Sequence, residues 1–207
     1  EGEKKFHTDW ANYARFAAEN KAVAKMPVAK NRVVFMGNSI TEGWKNTDSA
    51  FFAGRQYINR GISGQTTPQM LLRFRPDVID LIPAVVEILA GIKDIAGNTG
   101  QMTLEGTLGN IVSMATIAKA NKIKVVICSV LPAYDFPWRP GMEPAPKVIA
   151  LNKMLKDYAM KNGCGYVDYF SAMADKRNGL PVSLAEDGIH PNLAGYKVME
   201  PLVEKAI

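Results

Sequence analysis

The chain has 207 residues, 47% of them hydrophobic and 22% charged, which suffices for one α/β domain with a sizeable core. No apolar run approaches the roughly 20 residues that a membrane-spanning helix needs, so we expect no membrane span. The net charge of +5 comes from Lys and Arg residues scattered among acidic and apolar positions, which argues against a nucleic-acid partner.

Short β-rich runs alternate with helical patterns along the whole chain. Three of the predicted strands are nearly continuous apolar runs, typical of strands covered on both faces of a parallel sheet. The predicted strands are 31–37, 56–61, 84–91, 122–132 and 165–170. The predicted helices are 9–25, 68–74, 102–121, 144–162 and 192–207. This alternation predicts right-handed βαβ units and a single doubly wound domain over residues 1–207.

A serine lies two residues past the end of the first predicted strand, in "VVFMGNSITEGW". Catalytic groups on such sheets collect at the carboxyl ends of the strands, so Ser39 is a candidate nucleophile. Serine at this place is also typical of a helix cap or a turn. The stretch is not the G-x-S-x-G elbow, because Thr41 stands where the second glycine should be.

A serine nucleophile needs a base, and histidine is the usual one. His7 lies in the charged N-terminal segment, whereas His190 lies in "EDGIHPNLAGY", three residues after Asp187. A tight turn would bring the carboxylate of Asp187 to one nitrogen of the ring and leave the other nitrogen free. The alternative is a turn followed by a helix cap, with Asn192 capping the last helix.

An acyl-transfer site also needs donors for the oxyanion. Gly61 ends the second strand in "NRGISGQTT" and offers an unhindered N–H, although it is also consistent with a simple turn glycine. Gly91 ends the third strand in "ILAGIKDIAGN", with Lys93 and Asp94 just beyond it.

Taken together, these stretches resemble the SGNH (GDSL-type) esterase and lipase superfamily. "GNSITEGW" is similar to its first block, "NRGISGQTT" to its second, "AGIKDIAGN" to its third and "DGIHPNLAGY" to its fifth. The four blocks stand in the family's order and cover nearly the whole chain.

The resemblance implies a flavodoxin-like three-layer α/β/α sandwich with a five-stranded parallel sheet. It implies Ser39 as nucleophile, His190 as base and Asp187 as the partner of His190. It also implies an oxyanion hole made by the N–H groups of Ser39 and Gly61 together with an asparagine side chain.

Lys93 departs from that pattern, because it stands where the third block has its asparagine. Lysine is longer and charged, and it prefers water or a carboxylate such as Asp94. It could reach the oxyanion as a cation, swing away and leave two donors, or mark a site that no longer catalyses. Asn98 could replace the missing amide only if its loop folds back, which we do not expect.

The segment after the fourth strand, "LPAYDFPWRPGMEPAP", is rich in proline and aromatic residues. It either forms a wall of the cleft or is a packed surface loop. The candidate substrate contacts are Tyr134, Phe136, Trp138 and Arg139, with Trp44 as a further one. No large apolar lid is present, which favours a short acyl chain, with acetyl first, and the aromatic rings suit carbohydrate.

The sequence therefore predicts a serine esterase that hydrolyses short-chain esters on a small molecule or a glycan. The alternative is a catalytically impaired carbohydrate- or ligand-binding protein of the same fold, because of Lys93. We expect no cofactor and no metal, since no ligand cluster and no phosphate loop is visible. The sequence begins at Glu1, and a periplasmic or secreted location is favoured if a signal has been removed.

Overall fold

The computed structural model describes residues 7–207. Its centre is a five-stranded parallel sheet in the order β2-β1-β3-β4-β5. The strands are β1 Val33–Gly37, β2 Tyr57–Gly61, β3 Val85–Leu89, β4 Lys124–Cys128 and β5 Gly165–Val167. Helices flank this sheet, so the predicted α/β class is confirmed. The fifth strand is shorter than predicted, because the chain turns at Asp168 and a helix begins at Tyr169.

The helices occupy most of the segments between and after the strands. The α-helices are α1 Ala17–Ala24, α2 Ser39–Thr47, α3 Ser49–Phe52, α4 Thr67–Asp77, α5 Ile92–Ile95, α6 Leu104–Ala120, α7 Ala145–Lys161, α8 Tyr169–Met173 and α9 Leu193–Glu204. Short 3₁₀ helices cover Tyr13–Phe16 and Ile79–Leu81. Between residues 7 and 207, no helix combines the length and the apolar character needed to cross a bilayer.

The strand order decides which helices share a face of the sheet. The chain moves one way from β1 to β2 and the other way for every later crossover. Right-handed crossovers therefore place α2 and α3 on one face and α4, α6 and α7 on the other. The observed packing agrees, since α4 packs on α6 and α6 packs on α7.

The register brings the functional stretches to one edge. Gly37 at the end of β1 pairs with Gly61 on one side and with Leu89 on the other. The segments that follow β1, β2 and β3 therefore leave the sheet side by side at its carboxyl edge.

Trp44 was predicted to contact substrate, and this prediction is wrong. Its side chain is 0% exposed. The indole stacks on Phe51 with ring centroids 5.0 Å apart and on Tyr196 with centroids 5.4 Å apart. The Tyr196 hydroxyl in turn donates to the carbonyl of Ile40 at 2.7 Å. Trp44 thus joins α2, α3 and α9 in the core, where a large apolar surface stabilises the fold.

Candidate active site

Ser39 is the first residue of α2 and follows β1 after a single buried residue. That residue, Asn38, caps the helix, since its side chain accepts a hydrogen bond from the N–H of Ile40 at 3.0 Å. The cap frees the Ser39 side chain from the capping role that its position also suggested. Gly37 allows this sharp exit, because a Cβ at that residue would lie 2.0 Å from Oγ1 of Thr41.

Ser39, His190 and Asp187 lie in one hydrogen-bonded series. Ser39 Oγ is 2.9 Å from His190 Nε2. His190 Nδ1 is 2.6 Å from Asp187 Oδ2. The series joins the start of α2 to the loop before α9, which the sequence separates by most of the chain. The hydroxyl and the imidazole are both partly open to solvent.

The turn at 187–190 fixes the carboxylate relative to the ring. Asp187 Oδ1 accepts the N–H groups of Ile189 at 2.9 Å and His190 at 2.7 Å, while Gly188 has φ +74°. Burial acts to raise the pKa of Asp187, but the hydrogen bonds from the side chain and backbone of His190 outweigh it and hold that pKa below its usual value. The carboxylate is therefore ionised and able to orient the imidazole at neutral pH.

Gly61, the residue that the sequence predicts as an oxyanion donor, has its N–H occupied. It donates to Oδ1 of Asn59 at 2.9 Å. Gly61 also lies against α2, since a Cβ there would come within 2.1 Å of the backbone nitrogen of Glu42. This glycine therefore serves the close packing of β2 on α2, and the prediction of a free donor at Gly61 is corrected.

Gly64, three residues further on, has the property that was expected of Gly61. Its φ is +78°. In the part of the chain that the structure describes, its N–H donates no hydrogen bond, and neither does the N–H of Ser39. The neighbouring N–H of Ser63 donates to Oε2 of Glu42 at 2.9 Å, which ties this loop to the helix that Ser39 begins. The only signal in the sequence was a second glycine in the same block.

Lys93 is folded into the molecule and is only 4% exposed. Its Nζ lies 4.0 Å from the centroid of the Trp138 ring. Burial lowers the pKa of Lys93 to about 8, and the charge of Asp187 acts in the opposite direction. The expected pairing with Asp94 is absent, because Asp94 accepts the N–H of Thr67 at 3.0 Å and its hydroxyl at 2.6 Å.

Asn98 lies closer to the site than its place in the sequence suggested. The N–H of Asn98 donates to the carbonyl of Lys93 at 3.1 Å, and Gly97 has φ +68°, so the loop does fold back. The Asn98 side-chain amide donates to the carbonyl of Gly64 at 3.0 Å. Our expectation that this loop points away is therefore wrong.

The aromatic segment after β4 separates into buried and exposed side chains. Phe136 is fully buried, which corrects its prediction as a substrate contact. Trp138 is 40% exposed, stacks on Phe136 and lies 6.3 Å from the His190 ring, measured between centroids. Tyr134 is 52% exposed and carries the guanidinium of Arg177 over its ring at 4.8 Å.

Arg139 holds the aromatic segment against the third block. Its Nη1 donates to the carbonyl of Ala96 at 2.6 Å, and the carbonyl of Gly97 lies 3.4 Å away. These carbonyls follow α5 directly, so Arg139 fixes the segment that carries Trp138 over Lys93. Its observed contacts are with backbone carbonyls and are structural, and a contact between Arg139 and substrate stays a prediction.

A cavity of about 290 Å³ opens beside Asp187. Its lining includes Tyr134, Pro140, Arg177, Glu186, Asp187 and Gly188. Its lining combines the exposed ring of Tyr134 with charged side chains and with apolar ones such as Leu180 and Val182. Within residues 7–207 no group of three or more His, Cys, Asp or Glu side chains could hold a metal ion.

Arg73 is a residue of this region that the sequence analysis missed. It is 0% exposed and donates to four acceptors. These are the carbonyl of Gly37 at 3.1 Å, the carbonyl of Arg60 at 2.9 Å, Oε1 of Gln65 at 2.5 Å and Oδ2 of Asp77 at 2.9 Å. Burial lowers the pKa of Arg73 to about 10, so it stays charged. It thereby ties the ends of β1 and β2 to the loop that contains Gly64.

A parallel α/β sheet with Ser, His and Asp side chains in hydrogen-bonded series at its carboxyl edge is the arrangement of hydrolases that use a catalytic triad. Comparison with known families agrees with this class. Residues 35–198 match the GDSL-like lipase/acylhydrolase family, and the chain belongs to that family. The family is one of lipases and acylhydrolases, which supports a hydrolase or esterase in general, and the fold of the chain is that of the SGNH hydrolases.

Solved structures with the same fold include two from Bacteroides. A protein from Bacteroides fragilis named for acylhydrolase activity has 50% sequence identity and a TM-score of 0.93, covering 96% of this chain and 97% of its own. A GDSL-like lipase from Bacteroides thetaiotaomicron has 50% identity and a TM-score of 0.92, covering 96% and 98%.

A more distant structure shares the fold alone. An acetylxylan esterase from Geobacillus stearothermophilus has 19% identity and a TM-score of 0.67, covering 85% of this chain and 93% of its own. No match was found among curated protein sequences.

Proposed function

We propose that this protein is a serine esterase that hydrolyses short-chain esters, with acetyl esters first, through an acyl-enzyme on Ser39. The observation that carries the proposal is the series from Ser39 Oγ through His190 to Asp187, with contacts of 2.9 and 2.6 Å. The first contact lies within the range in which a base can take the proton of a hydroxyl nucleophile, and the second lets the carboxylate orient that base.

The reaction runs in two steps. His190 Nε2 takes the proton of Ser39 as Oγ attacks the ester carbonyl, and then gives it to the leaving alcohol. A water molecule, activated by the same nitrogen, attacks the acyl-enzyme and releases the carboxylic acid. Asp187 holds the ring with Nδ1 protonated and stabilises the imidazolium that forms in each step.

The oxyanion donors in this proposal are the N–H groups of Ser39 and Gly64 and the ammonium of Lys93. The two backbone donors are supported by their lack of another acceptor among residues 7–207. Lys93 is supported by its burial beside Trp138 and by the influence of Asp187 on its pKa. A cation at this place stabilises developing negative charge at least as well as the amide it replaces.

A carbohydrate is the proposed carrier of the ester. The cavity of about 290 Å³ beside Asp187 offers the exposed ring of Tyr134 together with the charged groups of Arg177 and Glu186. A protein of the same fold from Geobacillus stearothermophilus is an acetylxylan esterase, which makes acetylated glycans the first substrates to test.

The second candidate is a carbohydrate- or ligand-binding protein that does not catalyse. Lys93 favours it, since it replaces the amide donor that the family resemblance implies. In that case the positive charge of Lys93, which Asp187 influences from a distance, would offset part of the effect of the carboxylate on His190 and weaken the base. The two candidates differ in whether Ser39 becomes acylated.

Hydrolysis of p-nitrophenyl acetate, butyrate and octanoate by the wild-type protein, Ser39→Ala, Lys93→Asn and the surface control Lys45→Asn tests the proposal. We expect activity that falls from acetate to octanoate, is abolished in Ser39→Ala and is unchanged in Lys45→Asn. Lys93→Asn exchanges the cation for the amide that the family resemblance implies, so the ratio of its rate to that of the wild-type protein reports what the charge contributes; complete loss of an oxyanion donor would cost about 10²–10³ in rate.

Two results would decide against the proposal. Activity that survives in Ser39→Ala would exclude the acyl-enzyme on this serine. Silence of the wild-type protein with activity in Lys93→Asn would favour the binding protein. Release of acetate from acetylated xylan then tests the carbohydrate part, and exclusive cleavage of octanoate esters would overturn it.

A further inference from the structure

The ammonium of Lys93 is buried without an anionic partner. In the described range, 7–207, no carboxylate oxygen lies within 4.0 Å of its Nζ. Asp94, its neighbour along the chain, is held by Thr67. The contact recorded for the ammonium is the face of Trp138 at 4.0 Å. A cation–π contact replaces only part of the hydration that a buried ammonium loses.

Lys93 lies at the candidate active site. It belongs to α5, which follows the carboxyl end of β3. The neighbouring strand in the sheet is β1, which ends just before Ser39. Trp138 links Lys93 to the catalytic series, because its ring contacts the ammonium and its centroid also lies 6.3 Å from the centroid of the His190 ring. Asp187 acts on the ammonium through its charge.

An unpaired buried cation is stabilised by any anion that can reach it. Ester hydrolysis produces such an anion at this site, namely the carboxylate of the released acid. Its two oxygens take the positions of the ester carbonyl oxygen and of the attacking water. In the described chain the N–H groups of Ser39 and Gly64 have no other acceptor, so both are available to such an oxygen. A neutral amide would hold this product by a hydrogen bond alone, whereas an ammonium adds charge.

We propose that Lys93 makes the active site a binding site for small monocarboxylates, so that the acid released by hydrolysis is retained and inhibits the enzyme. The inference rests on the proposed function only for the source of the carboxylate, because binding itself needs no turnover. Acetate is the first ligand to test, since it is the product of the favoured esters.

The other charged groups around Lys93 set the limits of the effect. Asp187 and Asp94 carry negative charge nearby, but their oxygens are engaged by His190 and Thr67. Arg139 donates to the carbonyls that follow α5 and adds positive charge on the same side. No carboxylate oxygen in the described chain lies within 4.0 Å of the ammonium, so an anion that contacts Nζ directly would interact with it more strongly than these carboxylates do.

Calorimetric titration of sodium acetate at constant ionic strength tests the proposal on the wild-type protein, Lys93→Met, Lys93→Asn and Lys45→Met. Lys93→Met keeps the apolar stem and removes the charge, and the exposed Lys45 is the matched control. We expect binding at pH 7 that weakens by about tenfold or more in both Lys93 variants and is unchanged in Lys45→Met.

The wild-type protein supplies a further readout that needs no substitution. Because the pKa of Lys93 is about 8, its charge is present at pH 7 and mostly lost at pH 9.5. Acetate binding should fall over this interval in the wild-type protein and stay flat in Lys93→Met. The charge of Asp187, which is ionised throughout, does not change in this range.

The same proteins, with p-nitrophenyl acetate as substrate, give the inhibition constant for acetate, which should follow the dissociation constant. Equal acetate binding in the wild-type protein and both Lys93 variants would overturn the inference, and so would no detectable binding to the wild-type protein. Absence of hydrolysis together with Lys93-dependent binding would instead refute the proposed function and leave the carboxylate site in place.

Discussion

The candidate site has two sides that are built in different ways. The first side consists of Ser39, Asp187 and His190. Its Asp187–His190 half depends on short-range contacts, such as the turn in which Asp187 accepts two backbone N–H groups within three residues, and a single long-range contact joins that half to Ser39. The second side consists of the loop 61–67 after β2 and the segment 91–98 after β3. It depends on contacts between distant residues, such as Thr67 with Asp94.

This difference between local and long-range contacts shows which parts of a site a short sequence motif can predict. On the first side, the motif around His190 carries the Asp187–His190 geometry by itself, and the fold brings the start of α2 with Ser39 to it. The second side presents several chemically equivalent candidates, and only the tertiary contacts select among them. Predictions on the first side therefore concern loss of the chemistry, and those on the second side concern the precision with which donors are held.

The largest effect is expected for Asp187→Asn on the first side. The amide would favour the wrong tautomer of His190 and would not stabilise the imidazolium, so kcat should fall by on the order of 10⁴. The variant keeps the size of the side chain and thus its contacts with the turn. Steady-state kinetics with p-nitrophenyl acetate measures the loss, with Asp175→Asn as a control, since that aspartate caps a different exposed turn. A loss of less than tenfold would mean that Asp187 is not part of the reacting series.

Much of the fold and of the first side follows from the sequence. Apolar runs bounded by Gly and polar residues predict strands, and the alternation with helices leaves one topology class. The D-x-x-H spacing predicts the pairing of Asp187 with His190, because a tight turn is the only short connection available. The capping box at Thr66 and the cap at Asn192 are local as well, and both are observed.

The second side could not be predicted, for reasons that particular residues illustrate. In the sequence, Gly61 and Gly64 are equivalent candidates for a free N–H, whereas in the fold the side chain of Asn59 and the close packing on α2 occupy Gly61. Lys93 has a stem long enough to reach several partners, and Trp138, far along the chain, decides where the ammonium lies. Trp44 has the same side chain as Trp138, yet its partner Tyr196 places it in the core.

Arg73 tests whether the second side depends on long-range positioning. Arg73→Lys removes most of the four hydrogen bonds by which Arg73 joins Gly37, Arg60, Gln65 and Asp77. A shift of the oxyanion loop by about 1 Å costs on the order of 10² in rate, so kcat should fall by that amount while KM changes little.

Arg32 is the matched control for this experiment. It is also a buried arginine that donates to backbone carbonyls, those of Leu81 and of Pro27, but it lies at the amino end of β1, away from the site. Arg32→Lys should lower the melting temperature without changing kcat of the folded protein. If the two variants lose kcat and stability in the same proportion, Arg73 is structural only.

Two buried carboxyl groups give a second contrast: Asp94 accepts several hydrogen bonds, whereas Glu87 accepts few. Burial raises the pKa of Asp94 to about 6, and three contacts with Thr67 limit the rise. Burial raises the pKa of Glu87 to about 8, since a hydrogen bond from the Cys128 thiol is its main compensation and Oε2 has no partner in the described chain. Glu87 thus enters the fold protonated.

The sign of the resulting pH dependence follows from linkage. The pKa of Glu87 is raised in the folded state, so the folded protein holds a proton that the unfolded chain has lost between about pH 4.5 and 8. The free energy of unfolding should therefore fall as the pH rises from 6 to 8, by roughly 2–3 kcal/mol at about 1.4 kcal/mol for each pH unit. Urea unfolding at pH 6 and 8 measures it. Glu87→Gln should abolish most of the fall, and an equal fall in that variant would assign it to other groups.

The smallest effect is expected for the substitution of Asn98, an exposed residue that links the 91–98 segment to the loop after β2. Its amide donates to the carbonyl of Gly64 at 3.0 Å across an exposed contact, so its loss costs about 1 kcal/mol, or about fivefold in kcat. Asn121 is the matched control, because it is also exposed and its amide donates to the carbonyl of Ile117 within its own helix. Asn98→Ala should lower kcat for p-nitrophenyl acetate about fivefold, and Asn121→Ala should leave it unchanged. A loss of 10² or more in Asn98→Ala would mean that this amide contacts the oxyanion itself, in place of the asparagine that Lys93 replaces. An unchanged kcat would mean that the position of Gly64 does not depend on its contact with Asn98.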